Sequence, residues 1–179
     1  LIFQGNVTAH RGLEYFIPVL ASKIQSCSLE LTLLGSCTPE YKATLLNIAS
    51  ESKVTGKVFF DFVPYNRLPQ ITATCHIGLG VLVNNDIMHA TVGTASNKLY
   101  EYAALGLPVL YYDNEHFRQY LGGYSWAFPV KLEPQSITNA IFAISQNFRQ
   151  LSEDAHLAFL DDLNFEKAIL DLKNYIGKY

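Results

Sequence analysis

The sequence predicts an α/β protein with a six-stranded, mostly parallel, doubly wound sheet that carries helices on both faces. Six short apolar runs lack polar alternation, as expected for strands that are buried on both faces of a parallel sheet. The segments between these runs have apolar residues at the spacing of one helix face. We therefore expect alternating strands and crossover helices within one domain that spans residues 1–179.

Each predicted element has its own sequence signal. The strands are the apolar runs 1–4, 29–34, 58–62, 77–83, 109–112 and 126–130. Helical spacing predicts helices over 13–24, 137–148 and 165–176. Thr38 followed by Pro39 marks the start of another helix, and a further helix over 96–105 should end at Gly106, two residues before Pro108.

Composition excludes several classes of protein. Hydrophobic residues make up 49% of the chain and charged residues 16%, which favours a packed core over disorder. The net charge of −3 is too small to indicate a nucleic-acid-binding surface. The three cysteines have no Cys-x-x-Cys spacing, and no cluster of His, Cys and Asp has the spacing of a metal site. We therefore expect a reduced, cytoplasmic setting, without nucleic acid and without a metal.

The loop after the first predicted strand carries the first candidate chemistry. In doubly wound sheets, ligands bind outside the carboxyl ends of the strands. The loop at the carboxyl end of the first strand, residues 5–12, has the sequence GNVTAHRG. Gly5 allows close approach of the backbone to a ligand, and Arg11 should lie at the start of the following helix, where it suits a phosphate. The alternative is a turn glycine and a solvated arginine. The loop lacks the G-x-G-x-x-G fingerprint, which argues against a dinucleotide.

The segment 93–109, GTASNKLYEYAALGLPV, carries the second candidate chemistry. Its small and polar start can form a nest of backbone N–H groups for an anion, and Lys98 lies in the first turn of the helix that follows. Glu101, just inside that helix, is placed to accept two hydrogen bonds from a ribose diol. The alternative is that Glu101 complements the helix dipole and pairs with Lys98.

The stretch 96–110, SNKLYEYAALGLPVL, resembles the nucleotide-binding signature of GT-B glycosyltransferases of the group-one family, also called family four. Arg11 and Gly12 resemble the basic residue and glycine of that family's first loop, and VFFDFVPYNRLPQITATCHIGLGVL at 58–82 resembles its middle region. The resemblance covers essentially the whole chain. It implies a Rossmann-like domain that forms the C-terminal, donor-binding half of a GT-B fold.

The resemblance also implies roles for individual residues. Glu101 would bind the ribose hydroxyls and Arg11 the donor diphosphate, while the backbone around 63–65 would contact the base. The residues expected to contact the nucleotide are Gly5, Asn6, Arg11, Pro64, Tyr65, Gly93, Thr94, Ala95, Ser96, Asn97, Lys98 and Glu101. Catalysis would depend on Arg11, Lys98 and Glu101, which stabilise the departing diphosphate and position the sugar.

Three positions depart from the family pattern. Gly93 stands where many members have a second glutamate that contacts the transferred sugar. Asn6 stands where many members have an arginine, and Asp61 replaces the glycine that is usual after the middle strand. Because of these departures, the resemblance does not fix which donor is used or how strongly the diphosphate of that donor is bound.

The implied function is transfer of a hexosyl unit from a nucleoside diphosphate sugar to an acceptor hydroxyl, with retained anomeric configuration and no obligatory metal or other cofactor. The sequence begins without Met inside an apolar run, so we expect an N-terminal acceptor-binding domain upstream of it. A location at the inner face of the membrane, through peripheral association of that missing half, is compatible with this function. Two alternatives stay open, a sugar-nucleotide epimerase of the same architecture and a non-catalytic nucleotide-binding or regulatory α/β module.

Overall fold

The computed structural model describes residues 1–83 and 96–176. Its main sheet has six strands in the order β5-β4-β1-β6-β7-β8, and every neighbouring pair is parallel. These strands are β1 (Ile2–Gln4), β4 (Leu31–Leu34), β5 (Val58–Asp61), β6 (Gly78–Gly80), β7 (Val109–Tyr112) and β8 (Ala127–Val130). The six predicted strands and their parallel arrangement are confirmed.

The helices lie between and after these strands. They are α1 (Pro39–Glu51), α2 (Leu68–Thr72), α3 (Asn97–Ala104), α4 (Glu115–Leu121), α5 (Pro134–Gln146), α6 (Phe148–Asp161) and α7 (Phe165–Ile176). Thr38 caps α1 as predicted, because its side chain accepts a hydrogen bond from the Tyr41 N–H. Gly106 follows α3 with a φ of +69°, the left-handed conformation that the sequence predicted there.

The helix predicted over 13–24 is wrong. That stretch forms two short 3₁₀ turns, Leu13–Tyr15 and Pro18–Ala21, and then enters a small antiparallel hairpin of β2 (Lys23–Ile24) and β3 (Cys27–Ser28). Pro18 lacks the N–H that an α-helix would need at its centre, so the chain tightens and breaks there. Most of the predicted apolar face is nevertheless buried, since Leu13, Phe16, Ile17, Leu20 and Ile24 all lie in the core.

The predicted helix over 137–148 also differs from the structure. Helix α5 ends at Gln146, and α6 begins at Phe148 as a separate element. Asn147, with φ −131° and ψ 25°, leaves the helical conformation and turns the chain between the two helices. Periodicity did not reveal this break, because Phe148 falls on the same apolar spacing as the residues of α5.

Two glycines of β6 bring α3 close to the sheet. A Cβ atom at Gly78 would collide with the Tyr102 ring, and one at Gly80 would collide with the Leu99 side chain. Strand β6 therefore carries no side chain at these two positions, and the buried side chains of Leu99 and Tyr102 pack directly against its backbone. This close packing fixes the first turns of α3 beside the carboxyl end of the sheet.

Candidate functional site

The candidate site lies at the point where the order of the strands reverses. From β1 the chain proceeds to β4 and β5 on one side, and then returns to β6 on the other side of β1. Loops that follow β1 and β6 consequently diverge, leaving a crevice at the carboxyl ends of these two strands. The loop 5–12 after β1 and the helix α3 after β6 border this crevice.

Two cations meet beside the loop that follows β1, and we call Arg11 and Lys98 the cationic pair. The Lys98 Nζ lies 4.5 Å from the centroid of the buried Phe3 ring, and the Arg11 Cζ lies 6.0 Å from the same centroid. A Cβ atom at Gly5 would lie 3.6 Å from the Lys98 Nζ. The loop backbone at Gly5, with φ +124°, thus lies directly against the ammonium group.

The pKa of Lys98 is lowered from its ordinary value of 10.5 to about 8, mainly by burial and also by the neighbouring Arg11 charge, while the charge of Glu101 opposes both effects. Neither cation forms an ion pair with a carboxylate of the described residues. Two like charges that lie close together repel each other, so an arrangement without an ion-pair partner among the described residues does not stabilise the fold. They are suited to an anionic ligand with more than one charged oxygen.

Arg11 lies elsewhere on its loop than expected. It is the last residue of a 3₁₀ turn, Ala9–Arg11, rather than the first residue of an α-helix, because no α-helix follows this loop. Burial lowers the pKa of Arg11. Its Nε atom is buried and has no hydrogen-bond partner among the described residues. A buried guanidinium donor without an acceptor among the described residues is available to a ligand.

The ribose-binding candidate, Glu101, belongs to a hydrogen-bonded group of side chains that we call the polar cluster: Gln4, Tyr65, Thr72 and Glu101. The Gln4 Nε2 donates to one carboxylate oxygen of Glu101, and the Tyr65 hydroxyl donates to the other at 3.0 Å. These two donors, and not Lys98, make the hydrogen bonds to Glu101. Glu101 forms no hydrogen bond or close ion pair with Lys98, but its charge raises the pKa of that lysine, so the alternative in which Glu101 complements the helix dipole and pairs with Lys98 stays open.

Sequence reasoning missed Gln4 and Thr72. The Thr72 hydroxyl donates to Gln4 Oε1 at 2.8 Å, and both side chains are buried. Gln4 is the last residue of β1, and Thr72 is the last residue of α2. One signal was available, since a glutamine that ends an apolar run directly before a loop glycine is a polar residue at the carboxyl end of a central strand.

Other predicted residues surround these two groups. Pro64 precedes the 3₁₀ turn Tyr65–Arg67, which carries the exposed Tyr65 ring to Glu101. Asn6 is exposed and accepts a hydrogen bond from the Ser36 hydroxyl at 2.8 Å. Ser96 stands at the N-cap of α3 without a side-chain capping bond, and Asn97 is the first residue of that helix. Gly93, Thr94 and Ala95 lie outside the described residues.

Two cavities lie at opposite ends of the sheet. A small cavity of about 50 Å³ is bordered by the polar cluster together with Leu68, Pro69 and Leu105. A larger cavity of about 520 Å³ lies at the amino ends of the strands, where Leu1, Leu29 and Ile77 line it beside α5. The larger cavity is remote from the cationic pair, and its size reflects a gap under the β2–β3 hairpin. We place the site at the carboxyl ends, where the charged groups converge.

Within residues 1–83 and 96–176, no three His, Cys, Asp or Glu side chains are grouped as a metal site would require. None of the described helices is long and apolar enough to cross a membrane.

No protein-family model matches the sequence, and no curated protein matches it. Solved structures match its fold closely. HepE from Anabaena, in complex with UDP and glucose, superposes with a TM-score of 0.76 at 15% identity, over 99% of this chain and 48% of HepE. Sucrose-phosphate synthase from Thermosynechococcus elongatus matches with a TM-score of 0.74 at 15% identity, over 99% of this chain and 44% of the synthase.

A third match is to an isolated domain. The C-terminal domain of the group 1 glycosyl transferase LpcC from Francisella tularensis has a TM-score of 0.70 at 12% identity, over 92% of this chain and 85% of that domain. The chain spans about half the length of HepE and of the synthase. The expected fold, that of one half of a GT-B glycosyltransferase, is thereby confirmed.

Proposed function

We propose that this chain is the donor-binding half of a glycosyltransferase that uses a nucleoside diphosphate sugar. The observation that carries the proposal is that two cations without an ion-pair partner among the described residues, Arg11 and Lys98, lie together beside a helix that also carries the hydrogen-bonded carboxylate of Glu101. Lys98 and Glu101 are three residues apart on α3, so a diphosphate beside Lys98 brings the attached ribose towards Glu101. HepE, which shares the fold, was solved with UDP and glucose, and this supports the choice of ligand.

The proposed reaction is substitution at the anomeric carbon of the donor. The bond from that carbon to the diphosphate oxygen breaks, a bond to the acceptor oxygen forms, and the proton of the acceptor hydroxyl passes to the departing diphosphate oxygen. Negative charge accumulates on the diphosphate as it leaves, and Arg11 and Lys98 would stabilise this charge in a partly water-excluded site. Glu101 would fix the ribose and so hold the sugar in place. Retention of configuration and independence of a metal are part of the proposal through the family resemblance.

The acceptor site belongs, in this proposal, to an N-terminal domain that faces the same crevice. Two-domain enzymes of this fold close a cleft between their halves, and the carboxyl ends of the strands are the end of the sheet at which ligands bind. The chain by itself should accordingly bind the donor nucleotide without completing the transfer. A cytoplasmic site of action, at the inner face of the membrane, is compatible with this arrangement and is proposed with it.

Calorimetric titration of the chain with UDP and with uridine tests the proposal. We expect UDP to bind more tightly than uridine, and Arg11→Ala to weaken UDP binding about tenfold while leaving uridine unchanged. The variant should also reduce the salt dependence of UDP binding, because salt screens the removed charge. Arg149→Ala is the matched control, since the Arg149 side chain is 94% exposed on α6 and should not affect either ligand. Absence of binding for UDP, ADP and GDP alike would reject the proposal.

A further inference from the structure

Gln4 and Thr72 are the two polar side chains that are buried within the described part of the chain, 5% and 1% exposed respectively. Burial of an amide and a hydroxyl costs free energy unless both are hydrogen-bonded. Here they bond to each other, and the amide bonds onward to Glu101. The buried polar pair at the carboxyl end of β1 is therefore connected by a hydrogen bond to one other side chain, the carboxylate of Glu101 on α3.

The hydrogen bonds in this pair have a fixed direction. Because the Thr72 hydroxyl donates to Gln4 Oε1, the Gln4 amide must present its Nε2 hydrogens on the opposite side, towards Glu101. An amide nitrogen only donates, so its partner must accept. The carboxylate of Glu101 satisfies this requirement in its ionised form.

The backbone that carries Gln4 is held on both sides. Gln4 pairs with Leu34 in the parallel ladder between β1 and β4. On the helix side, its N–H donates to the Tyr102 hydroxyl at 3.1 Å, and that hydroxyl in turn donates to the Ile2 carbonyl. The position of the Gln4 side chain relative to α3 is thus fixed by the sheet and by the residue that follows Glu101.

We infer that Gln4 and Thr72 are positioning residues that hold Glu101 in the orientation needed to accept from a ribose diol, and so set the site's preference for ribonucleotides over 2′-deoxyribonucleotides. This inference rests on the proposed function. Gln4 occupies one acceptor position of one carboxylate oxygen. The other oxygen contacts Tyr65, whose ring is 74% exposed and free to give way to a ligand. An acceptor oriented in advance loses less entropy when two hydroxyl groups bind to it.

The test compares UDP, ADP and GDP with their 2′-deoxy forms, and uses inorganic pyrophosphate as a probe of the cationic pair alone. We expect the wild type to prefer its best ribonucleotide over the deoxy form about fivefold or more. Gln4→Met and Thr72→Val should reduce that preference towards unity and leave pyrophosphate binding unchanged. Thr72→Ser keeps the hydroxyl and should restore the preference. In the Glu101→Gln background, Gln4→Met should have no further effect on it.

Each contrary result has a separate meaning. Failure of the wild type to bind any of the three ribonucleotides overturns the proposed function together with this inference. A ribose preference that depends on Glu101 but survives in Gln4→Met and Thr72→Val overturns the inference alone. Equal weakening of pyrophosphate and ribonucleotide binding in these variants also overturns it, since that pattern signifies a packing role. If Gln4→Met does not fold, Thr72→Val decides, because valine preserves the shape of threonine.

Discussion

The cationic pair and the polar cluster each contribute one residue to α3, Lys98 and Glu101 respectively, yet the two groups are built in opposite ways. Arg11 and Lys98 both lie over the Phe3 ring, and Arg11 Nε lacks a partner among the described residues. In the polar cluster, by contrast, every contact among Gln4, Thr72 and Glu101 pairs a donor with an acceptor. Among the described residues, the first region contains a buried donor without an acceptor, whereas the second contains matched donors and acceptors.

Under the proposed function, this difference predicts that the two regions bind different parts of one ligand. In the proposed function, an anion would stabilise the cationic pair, because neither cation has an ion-pair partner among the described residues. In the polar cluster, the Glu101 carboxylate already accepts hydrogen bonds from two neutral side chains, and the cluster contributes by holding this acceptor in a set direction. Changes to the first region should therefore affect affinity for the diphosphate, whereas changes to the second should affect discrimination between sugars of the nucleotide.

The largest expected effect comes from Lys98→Met, which removes one of the two charges and keeps the length of the side chain. UDP affinity should fall about ten- to a hundredfold, the range for a lost charge-assisted interaction, while uridine affinity should not change. The thermal midpoint of the free protein should not fall, because burial makes the protonated lysine a cost to the fold. Calorimetry and thermal unfolding measure both quantities. A variant that is less stable and binds UDP normally would assign Lys98 a purely structural role.

Glu101→Gln should have the next largest effect. The substitution retains size but weakens the bonds to a ribose diol, so we expect UDP affinity to fall about tenfold. The loss should be much smaller for 2′,3′-dideoxy-UDP, and pyrophosphate binding should be unaffected. Titration of the three ligands against both proteins measures the difference. An equal loss for the dideoxy ligand would mean that Glu101 does not contact the ribose.

The depressed pKa of Lys98 predicts a pH dependence of binding. The diphosphate binds the protonated lysine, so affinity for UDP should fall as pH rises through about 8, by about tenfold between pH 7 and pH 9. In the free protein, the folded pKa lies below the unfolded one, so the free energy of unfolding should rise over the interval from about 8 to 10.5. Lys98→Met should abolish both dependences. A flat affinity profile in the wild type would contradict the placement of the diphosphate at Lys98.

The smallest expected effect is that of Tyr65→Phe. The Tyr65 hydroxyl donates to Glu101, and this bond raises the pKa of Tyr65, but the ring is exposed and the bond competes with water. We expect UDP affinity to change by about twofold or less, since a solvent-exposed hydrogen bond contributes little. A tenfold loss in UDP titration would show that Tyr65 is part of the ribose-binding machinery rather than a replaceable contact.

The sequence predicted most of the architecture because the strands are apolar on both faces, a pattern that depends on local composition alone. It also indicated Arg11, Lys98 and Glu101 as ligand contacts, from their positions relative to a loop glycine or a helix start, and that role stays a prediction. The helix over 13–24 failed because the apolar spacing was correct for burial while Pro18 prevented the helical hydrogen bonds. Periodicity reports which residues are buried more directly than it reports the conformation that buries them.

Gln4 and Thr72 could not be predicted in the same way. They are 68 positions apart in the chain, and their bond exists because α2 ends beside the carboxyl end of β1. A single glutamine or threonine has many ordinary roles, so neither residue type signals a site by itself. Only the meeting of three elements, β1, α2 and α3, reveals that these side chains control the orientation of Glu101.

A crystal of the chain soaked with UDP, ADP and GDP in turn tests the central claim most directly, because it locates the ligand. We expect the diphosphate to contact Arg11 and Lys98 and the ribose hydroxyls to lie within hydrogen-bond distance of Glu101, at the carboxyl ends of β1 and β6. A nucleotide bound instead in the 520 Å³ cavity at the amino ends of the strands, or density at neither end, would contradict it.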